Sequence, residues 1–137
     1  MRHEIIPNLR YVDAPRAIDF LCAAFGFERR VVYPDERDAR VVQHAQLNWG
    51  DRMVMISSLS ATEYARAANM KTAAQAGGPT IGLYLIVEDV DAHALRARAA
   101  GADIFLGPDD KDYGGRGYSA RDPEGNVWSF GSYDPWA

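Results

Sequence analysis

The sequence of 137 residues has a single cysteine and lacks the patterns that several classes of protein require. One cysteine, Cys22, excludes an intrachain disulfide and a cysteine-rich zinc site. No apolar run approaches the roughly 18 residues of a membrane span, and the N-terminal segment has no apolar signal core. We therefore expect no membrane partner and a cytoplasmic location.

An excess of positive charge is also lacking. Fifteen Lys and Arg stand against nineteen Asp and Glu, which gives a net charge of −4, and the basic residues are scattered. A nucleic-acid partner is therefore not expected, because phosphate binding needs clustered cations. Apolar residues make up 47% of the chain, which is enough for one globular domain that folds without a metal or a disulfide.

The first half of the chain predicts a strand, a helix and three further strands. Asp13 is the expected N-cap of the helix, Pro15 fits its first turn, and Gly26 fits a left-handed end. The tetrapeptide Asn-Trp-Gly-Asp at residues 48–51 predicts a hairpin. The predicted strands cover residues 4–11, 27–33, 39–47 and 52–57.

The second half repeats this order after an alanine-rich connector at residues 60–78, interpreted as a short helix and a flexible link. Asp89 mirrors Asp13 as a helix cap, and Gly101 mirrors Gly26. Residues 107–117 form a predicted polar loop with four glycines, and residues 122–125 a tight turn. The predicted strands cover residues 80–87, 103–106, 118–121 and 126–132.

The repeat predicts an α+β fold made of two tandem βαβββ modules within one domain, residues 1–137. Module one spans about 4–59 and module two about 79–133, with the connector at 60–78 between them. Each module has one helix to cover one face of its sheet. We expect two curved mixed sheets around a groove, which is where small ligands bind.

Short motifs follow one another along the chain: Leu9-Arg10, Ala17-Ile18-Asp19-Phe20, Phe25-Gly26-Phe27, Val87-Glu88-Asp89-Val90-Asp91-Ala92, Ala99-Ala100-Gly101-Ala102 and Arg121-Asp122-Pro123-Glu124-Gly125-Asn126-Val127-Trp128. Their order resembles that of the vicinal oxygen chelate superfamily, which includes glyoxalase I, extradiol dioxygenases and bleomycin-resistance proteins. The resemblance covers nearly the whole chain and supports the fold more than any one activity.

The resemblance implies four metal-ligand positions on four strands and a homodimer. The four positions fall at Ile6, near Ile56, near Gly82 and at Ser129, and none of these side chains binds a divalent metal well. The histidines His3, His44 and His93 show no metal-binding spacing, and His93 is interpreted as a surface or capping residue of the second helix. We therefore expect no metal and no cofactor.

Polar side chains on two strands of the first module are candidate ligand contacts. Alternation places His44 and Gln46 opposite Ala45 and Leu47, which fit under the helix. His44 would then line the groove, or would be a hydrated edge-strand residue.

Asn8 and Arg10 share a face of the first strand in the same way. They contact a ligand, Arg10 binding a carboxylate or phosphate, or they make buried structural bonds.

Tyrosines and one arginine are the candidates in the second module. Tyr84 alternates with Gly82 and Ile86 toward the groove, Tyr118 is a further candidate, and Trp128 is expected in the core. In the loop at 107–117, Tyr113 and Arg116 could close over a ligand as a lid, or the loop could be an ordinary solvated connection.

The sequence predicts a metal-free protein that binds a small, partly aromatic organic molecule and could sequester a toxic or antibiotic-like compound. The expected ligand contacts are Asn8, Arg10, His44, Gln46, Tyr84, Tyr113, Arg116 and Tyr118. One alternative is a glyoxalase-like lyase or dioxygenase, dependent on a metal or using His44 as a base. Another is a pure interaction module, which no small molecule would stabilise.

Overall fold

A computed structural model describes residues 1–59 and 61–137, so that Ser60, the first residue of the predicted connector, lies outside the described residues. The chain divides into two units, each with its own internal packing. The first unit contains residues 1–22 and 26–72. The second contains residues 23–25 and 73–137.

The first unit is a four-stranded mixed sheet with one helix packed on it. Its strands are β1 (Asn8–Tyr11), β2 (Glu28–Pro34), β3 (Val42–Trp49) and β4 (Arg52–Ser58), in the order β1-β4-β3-β2. β1 runs parallel to β4, and the other neighbours are antiparallel. The helix α1 (Ala14–Phe20) packs against β1, β3 and β4, and a short helix α2 (Glu63–Ala67) follows the sheet.

Local signals account for the start and end of α1. The Asp13 side chain accepts a hydrogen bond from the Arg16 amide at 3.2 Å, as expected of an N-cap. The helix continues as a π-helical turn over Leu21–Phe25 and ends at Gly26 with φ 91°, a left-handed conformation that favours glycine. Both ends therefore lie where the sequence predicts them.

Apolar side chains between α1 and the sheet form the core of the first unit. The helix contributes Ala14, Ala17, Ile18 and Leu21, and the sheet contributes Tyr11, Ala45, Leu47 and Ile56, all of them buried. Burial of Ala45 and Leu47 against the helix side confirms the alternation predicted for this strand.

The second unit repeats the same topology. Its strands are β5 (Gly82–Ile86), β6 (Asp103–Asp110), β7 (Arg116–Arg121) and β8 (Val127–Gly131), in the order β5-β8-β7-β6, with β5 parallel to β8. A short helix α3 (Ala73–Ala76) precedes the sheet, and α4 (Val90–Ala99) packs on β6 and β7. The predicted α+β fold with two mixed sheets is therefore confirmed.

The cap of α4 and the core of the second unit agree with the sequence. The Asp89 carboxylate accepts from the Ala92 amide at 3.0 Å, which mirrors the cap of α1. Trp128 is fully buried, and its indole N–H donates to Asp122 at 3.1 Å across the turn that joins β7 and β8. The Trp128 ring packs against Phe25 in the aromatic core of this unit.

The long loop predicted at residues 107–117 is mostly strand. β6 continues past a bulge to Asp110 and pairs with β7 through Asp109–Gly117 and Asp110–Arg116. The remaining connection is short, because the Lys111 amide donates to the Gly115 carbonyl at 2.9 Å. In place of the predicted long loop there is a tight turn at the end of a hairpin.

No helix of the described part of the chain is long and apolar enough to cross a membrane.

Candidate functional site

The face of the first sheet turned away from α1, here called the first distal face, carries the polar residues predicted from alternation. Asn8 pairs with Met55, and Met55 pairs with Gln46, so Asn8 and Gln46 lie in one row across three strands. Arg10 pairs with Ser57 in the next row. The sheet therefore places the four predicted residues of this module, Asn8, Arg10, His44 and Gln46, on one face.

Arg10 is the most buried cation of this face, with 6% of its surface exposed. Its Nε and Nη1 atoms are buried and have no hydrogen-bond partner within residues 1–59 and 61–137. The guanidinium carbon lies 5.7 Å from the ring centroid of Tyr64, and burial lowers the pKa of Arg10 from its ordinary value. A buried guanidinium with open donors is suited to an oxyanion.

His44 and Gln46 contact each other on the first distal face. The His44 Nε2 atom lies 3.1 Å from the Gln46 side-chain nitrogen, which is a hydrogen bond when Nε2 accepts. The ring of Tyr33 on β2 stacks near His44, with centroids 6.4 Å apart. His44 is half-buried, so its imidazole is positioned by neighbours and partly open to solvent.

A cavity of about 340 Å³ lies on the corresponding face of the second sheet, here called the second distal face. The residues that line it include Gly82, Gly117, Tyr84, Tyr113 and Leu106. This volume is at the lower end of the range of small-molecule sites. The cavity is open to solvent and lies entirely within the second unit.

Tyr84 and Tyr113 present aromatic surface to this cavity and are held by one further tyrosine. The Tyr84 hydroxyl donates to the Tyr133 carbonyl at 2.7 Å, and the rings of Tyr113 and Tyr133 meet edge-to-face at 5.3 Å. Burial is the main cause that raises the pKa of Tyr84. The structure therefore brings two of the predicted tyrosines together at one site.

Sequence reasoning missed two polar residues of the cavity, Ser119 and Lys111, and named Ser129 as an expected metal-ligand position but not as a ligand contact. The hydroxyls of Ser119 and Ser129 lie 2.7 Å apart, and the Lys111 side chain lies at the wall. Strand alternation could have found Ser119, which faces the same way as Gly117. Nothing in the local pattern distinguishes Lys111 from the charged residues beside it.

Tyr118 borders the cavity through its strand, but its ring is in the core with 1% of the residue exposed. Its hydroxyl lies 2.6 Å from Nδ1 of His93 on α4, and burial raises the pKa of this hydroxyl. Tyr118 alternates with Gly117 and Ser119, which reach the cavity, so its side chain points toward the helix. We assign the Tyr118 ring a packing role.

Arg116 is held in an ion-pair cluster rather than left available for a ligand. Its Nε and Nη2 atoms donate to the Asp91 carboxylate at 3.0 Å each, and Nη1 donates to Asp110 at 3.2 Å. These two carboxylates raise the pKa of Arg116, the Asp91 hydrogen bond being the larger cause. This placement favours a structural link between α4 and the β6–β7 hairpin.

Two of the four positions expected from the resemblance to be metal ligands lie in the first unit. Ile6 precedes β1, and Ile56 is fully buried on the α1 side of β4. The expected register is therefore off by one residue, because Met55 and Ser57 occupy the first distal face. Neither is a ligand that a hard or borderline divalent ion prefers.

The other two positions lie on the second distal face. Gly82 has no side chain, and the Ser129 hydroxyl is bonded to Ser119. Across residues 1–59 and 61–137, no group of three or more His, Cys, Asp or Glu side chains could hold a metal ion. The residues present do not fit the divalent metal of the glyoxalase-like members.

Two βαβββ repeats, each with the same strand order, place the chain in the class of proteins built from paired βαβββ units. Its sequence matches the profile of the Glyoxalase/Bleomycin resistance protein/Dioxygenase superfamily over residues 6–130. The chain therefore belongs to this superfamily. An uncharacterised protein of Mycobacterium bovis is 34% identical over 127 residues, which cover 91% of this chain and 80% of that protein.

Solved structures of the same fold include TioX from Micromonospora sp. ML1, with 32% identity, a TM-score of 0.73 and coverage of 94% of both chains. TnmS3, an antibiotic binding protein from Streptomyces sp. CB03234, has 20% identity and a TM-score of 0.68. That alignment covers 96% of this chain and 95% of TnmS3. At this identity the likeness to TnmS3 shows the fold alone.

Proposed function

We propose that the chain is a metal-free protein that binds a small, partly aromatic organic molecule and sequesters a toxic or antibiotic-like compound. The observation that carries the proposal is the tyrosine-lined cavity on the second distal face. A structure of the same fold supports the proposal, since TnmS3 is an antibiotic binding protein. Homodimer formation, implied by the same resemblance, belongs to this proposal, and sedimentation equilibrium tests it.

The shape of the cavity suits a planar ring. Tyr84 and Tyr113 offer ring surface, and Gly82, where an added Cβ would have nothing within 4 Å, allows a flat molecule to approach the backbone of the sheet. Aromatic pairs contribute about 0.5–1.5 kcal/mol each beyond the burial of apolar area. Bonds to Tyr133 hold Tyr84 before a ligand arrives, which lowers the entropy cost of binding.

The first distal face is a second candidate surface. Arg10 suits a carboxylate because two of its nitrogens lack an acceptor in the described residues, and Asn8, His44 and Gln46 offer amide and imidazole groups on the same face. The alternative enzyme that uses His44 as a base stays a prediction of the sequence. It predicts turnover that depends on a group with the ordinary pKa range of histidine.

The test is a thermal-unfolding screen with aromatic antibiotics and naphthalene derivatives, followed by calorimetric titration of the compounds that stabilise the protein. A ligand at a hundred times its Kd contributes about 2.7 kcal/mol. Replacing Tyr113 by alanine weakens binding by about three- to tenfold, as expected for one lost aromatic contact.

Trp136 supplies the matched control, because it is 94% exposed and does not line the cavity. Its replacement by alanine leaves the affinity unchanged. A panel in which no compound stabilises the protein contradicts the proposal and supports a pure interaction module instead. Equal losses of affinity in the Tyr113 and Trp136 variants contradict the assignment of the cavity.

A further inference from the structure

The charge among the side chains that line the cavity on the second distal face is positive only. Among the described residues that line it, Lys111 is the one ionised side chain. The other polar side chains are the neutral hydroxyls of Ser119 and Ser129 and the two tyrosines. The cavity wall carries no carboxylate, although the protein as a whole has a net charge of −4.

The position of Lys111 is set by the turn between β6 and β7. Its amide donates to the Gly115 carbonyl at 2.9 Å, and its carbonyl accepts from the Gly114 amide at 3.1 Å. The Lys111 stem passes over Gly117, where an added Cβ would lie 3.5 Å from Lys111 Cε. Such packing of the aliphatic stem directs the ammonium group to one place.

The ammonium of Lys111 has a counter-ion that leaves donors available. Nζ lies 2.6 Å from Asp109, whose side chain is 62% exposed, whereas the Lys111 side chain is 24% exposed. The Lys111 side chain is thus mostly buried, whereas the side chain of its carboxylate partner is mostly exposed. An ammonium has three N–H donors and Asp109 accepts one, so a second anion can bind beside it.

The Tyr84 hydroxyl does not compete with the Lys111 ammonium for an anion. The Tyr84 hydroxyl is already used by the Tyr133 carbonyl, so Tyr84 presents mainly its ring. The bond between Ser119 and Ser129 uses one of their two protons, which leaves one hydroxyl proton to donate. A hydroxyl donor is therefore available to a ligand beside the Lys111 ammonium.

We propose that Lys111 determines specificity in this cavity, which selects aromatic molecules with an anionic oxygen, a carboxylate or an ionised phenol, and rejects cationic ones. This inference rests on the proposed function, because it requires that the cavity binds a small molecule. Selection arises from a local charge, since the net charge of the protein would by itself repel anions.

The test compares three probes of the same shape by calorimetry: naphthalene carboxylate, naphthalene carboxamide and naphthylmethylammonium. The full-length protein binds the carboxylate about tenfold to a hundredfold more tightly than the carboxamide, as expected for a bond to a charged donor. The ammonium probe binds most weakly. Lys111→Met removes the preference for the carboxylate over the carboxamide.

The sequence offers a matched control, because Lys71 and Lys111 are its only lysines. Lys71 is exposed, bonds to Asn69, and does not line the cavity. Lys71→Met keeps the preference. In wild-type protein that contains isotope-labelled lysine, whose ammonium keeps all three protons, the Lys111 NMR signal shifts with the carboxylate probe and the Lys71 signal does not.

The outcomes separate this inference from the function on which it rests. Equal binding of all three probes, or a carboxylate preference that persists in Lys111→Met, overturns the role of Lys111 and leaves a binding cavity. An unchanged Lys111 signal with bound carboxylate overturns it in the wild-type protein, independently of how the variant folds. Absence of binding by every probe overturns both proposals.

Discussion

At the scale of single residues, the surroundings of Arg10 bear on an alternative that the sequence leaves open, a ligand contact or a buried structural bond. Alternation places Arg10 on a sheet face but does not say whether it bonds a ligand or another protein group. The described residues provide no acceptor for its Nε or Nη1, although both atoms are buried. An unpaired buried donor costs about 1–3 kcal/mol, so an oxyanion at this place would stabilise the fold as well as bind.

His93 shows how burial changes the role of a residue that the sequence places at a helix border. Its Nε2 donates to the Phe25 carbonyl at 2.8 Å, and Nδ1 accepts from the Tyr118 hydroxyl at 2.6 Å. A carbonyl oxygen only accepts, which defines this tautomer of the neutral ring. Burial is the main cause that lowers the pKa of His93 below its ordinary value of 6.5.

This lowered pKa predicts a loss of stability in acid. The unfolded chain takes up a proton as the pH falls through 6.5, whereas the folded protein resists protonation of His93 until a lower pH. The free energy of unfolding therefore decreases with acidification, starting near pH 6.5. Urea denaturation followed by tryptophan fluorescence over this range measures the effect.

The comparison variants for this prediction are His93→Gln and His44→Gln. The first removes the histidine part of the pH dependence and is less stable at neutral pH, because the buried contacts with Tyr118 and Phe25 change. The second retains the part of the pH dependence that comes from His93. The reverse pattern would contradict the assignment to His93.

At the scale of elements, the two principal helices are defined by equivalent caps. Asp13 and Asp89 each accept a bond from the amide three residues later, and Gly26 and Gly101 follow the helices with positive φ. We expect Asp13→Ala and Asp89→Ala each to lower the free energy of unfolding by about 1 kcal/mol. Chemical denaturation of the two variants measures the loss.

Asparagine at either cap retains most of the stability, because its side-chain oxygen accepts the same bond. Asp19→Ala is the control for charge, since Asp19 is an exposed residue of α1 whose ion pair with Arg29 lies at the surface. Surface pairs of this kind contribute about 0–1 kcal/mol. A loss at Asp19 larger than that at Asp13 would show that capping is not the main contribution.

The hairpin of β6 and β7 is the element that sequence patterns describe least well. Four glycines and many charges between 107 and 117 are typical of a loop, yet strand pairing continues to Asp110 and Arg116. Gly107, with φ 74°, allows this, because a Cβ there would lie 2.5 Å from the Gly117 carbonyl oxygen. The close approach of two strands is a long-range feature that local composition does not contain.

At the scale of the whole molecule, duplication of one topology explains why the two sheets have the same strand order. In both sheets the strands lie in the same order, which is the first, fourth, third and second strand of the repeat. The positions at which glyoxalase-like members hold a metal carry apolar, glycine or hydrogen-bonded serine residues. The chain thus has the duplicated fold, but its described residues contain no group of side chains that could hold a metal ion.

We therefore expect metal removal to have no effect. Dialysis against EDTA leaves both the free energy of unfolding and the affinity for naphthalene carboxylate unchanged, because no described cluster of side chains forms a ligand set. Elemental analysis of the purified protein finds no stoichiometric divalent ion. A loss of stability in EDTA that zinc or nickel restores would contradict the metal-free proposal.

The sequence by itself determined the order of elements, both helix caps, the Asn-Trp-Gly-Asp hairpin and the duplicated α+β topology. It also determined which side chains of β3 face the helix. These features depend on neighbouring residues, since capping, turn conformation and strand alternation are local.

Only the tertiary structure decided which candidate side chains remain available to a ligand. Tyr118 and Arg116 are already bonded to His93 and Asp91, whereas Lys111 and the Ser119–Ser129 pair lie at the cavity without having been predicted as ligand contacts. These outcomes depend on the register of strands and on contacts between residues distant along the chain. Such contacts have no signature in the spacing of residues, because they exist only after the sheet has paired and the helix has packed on it.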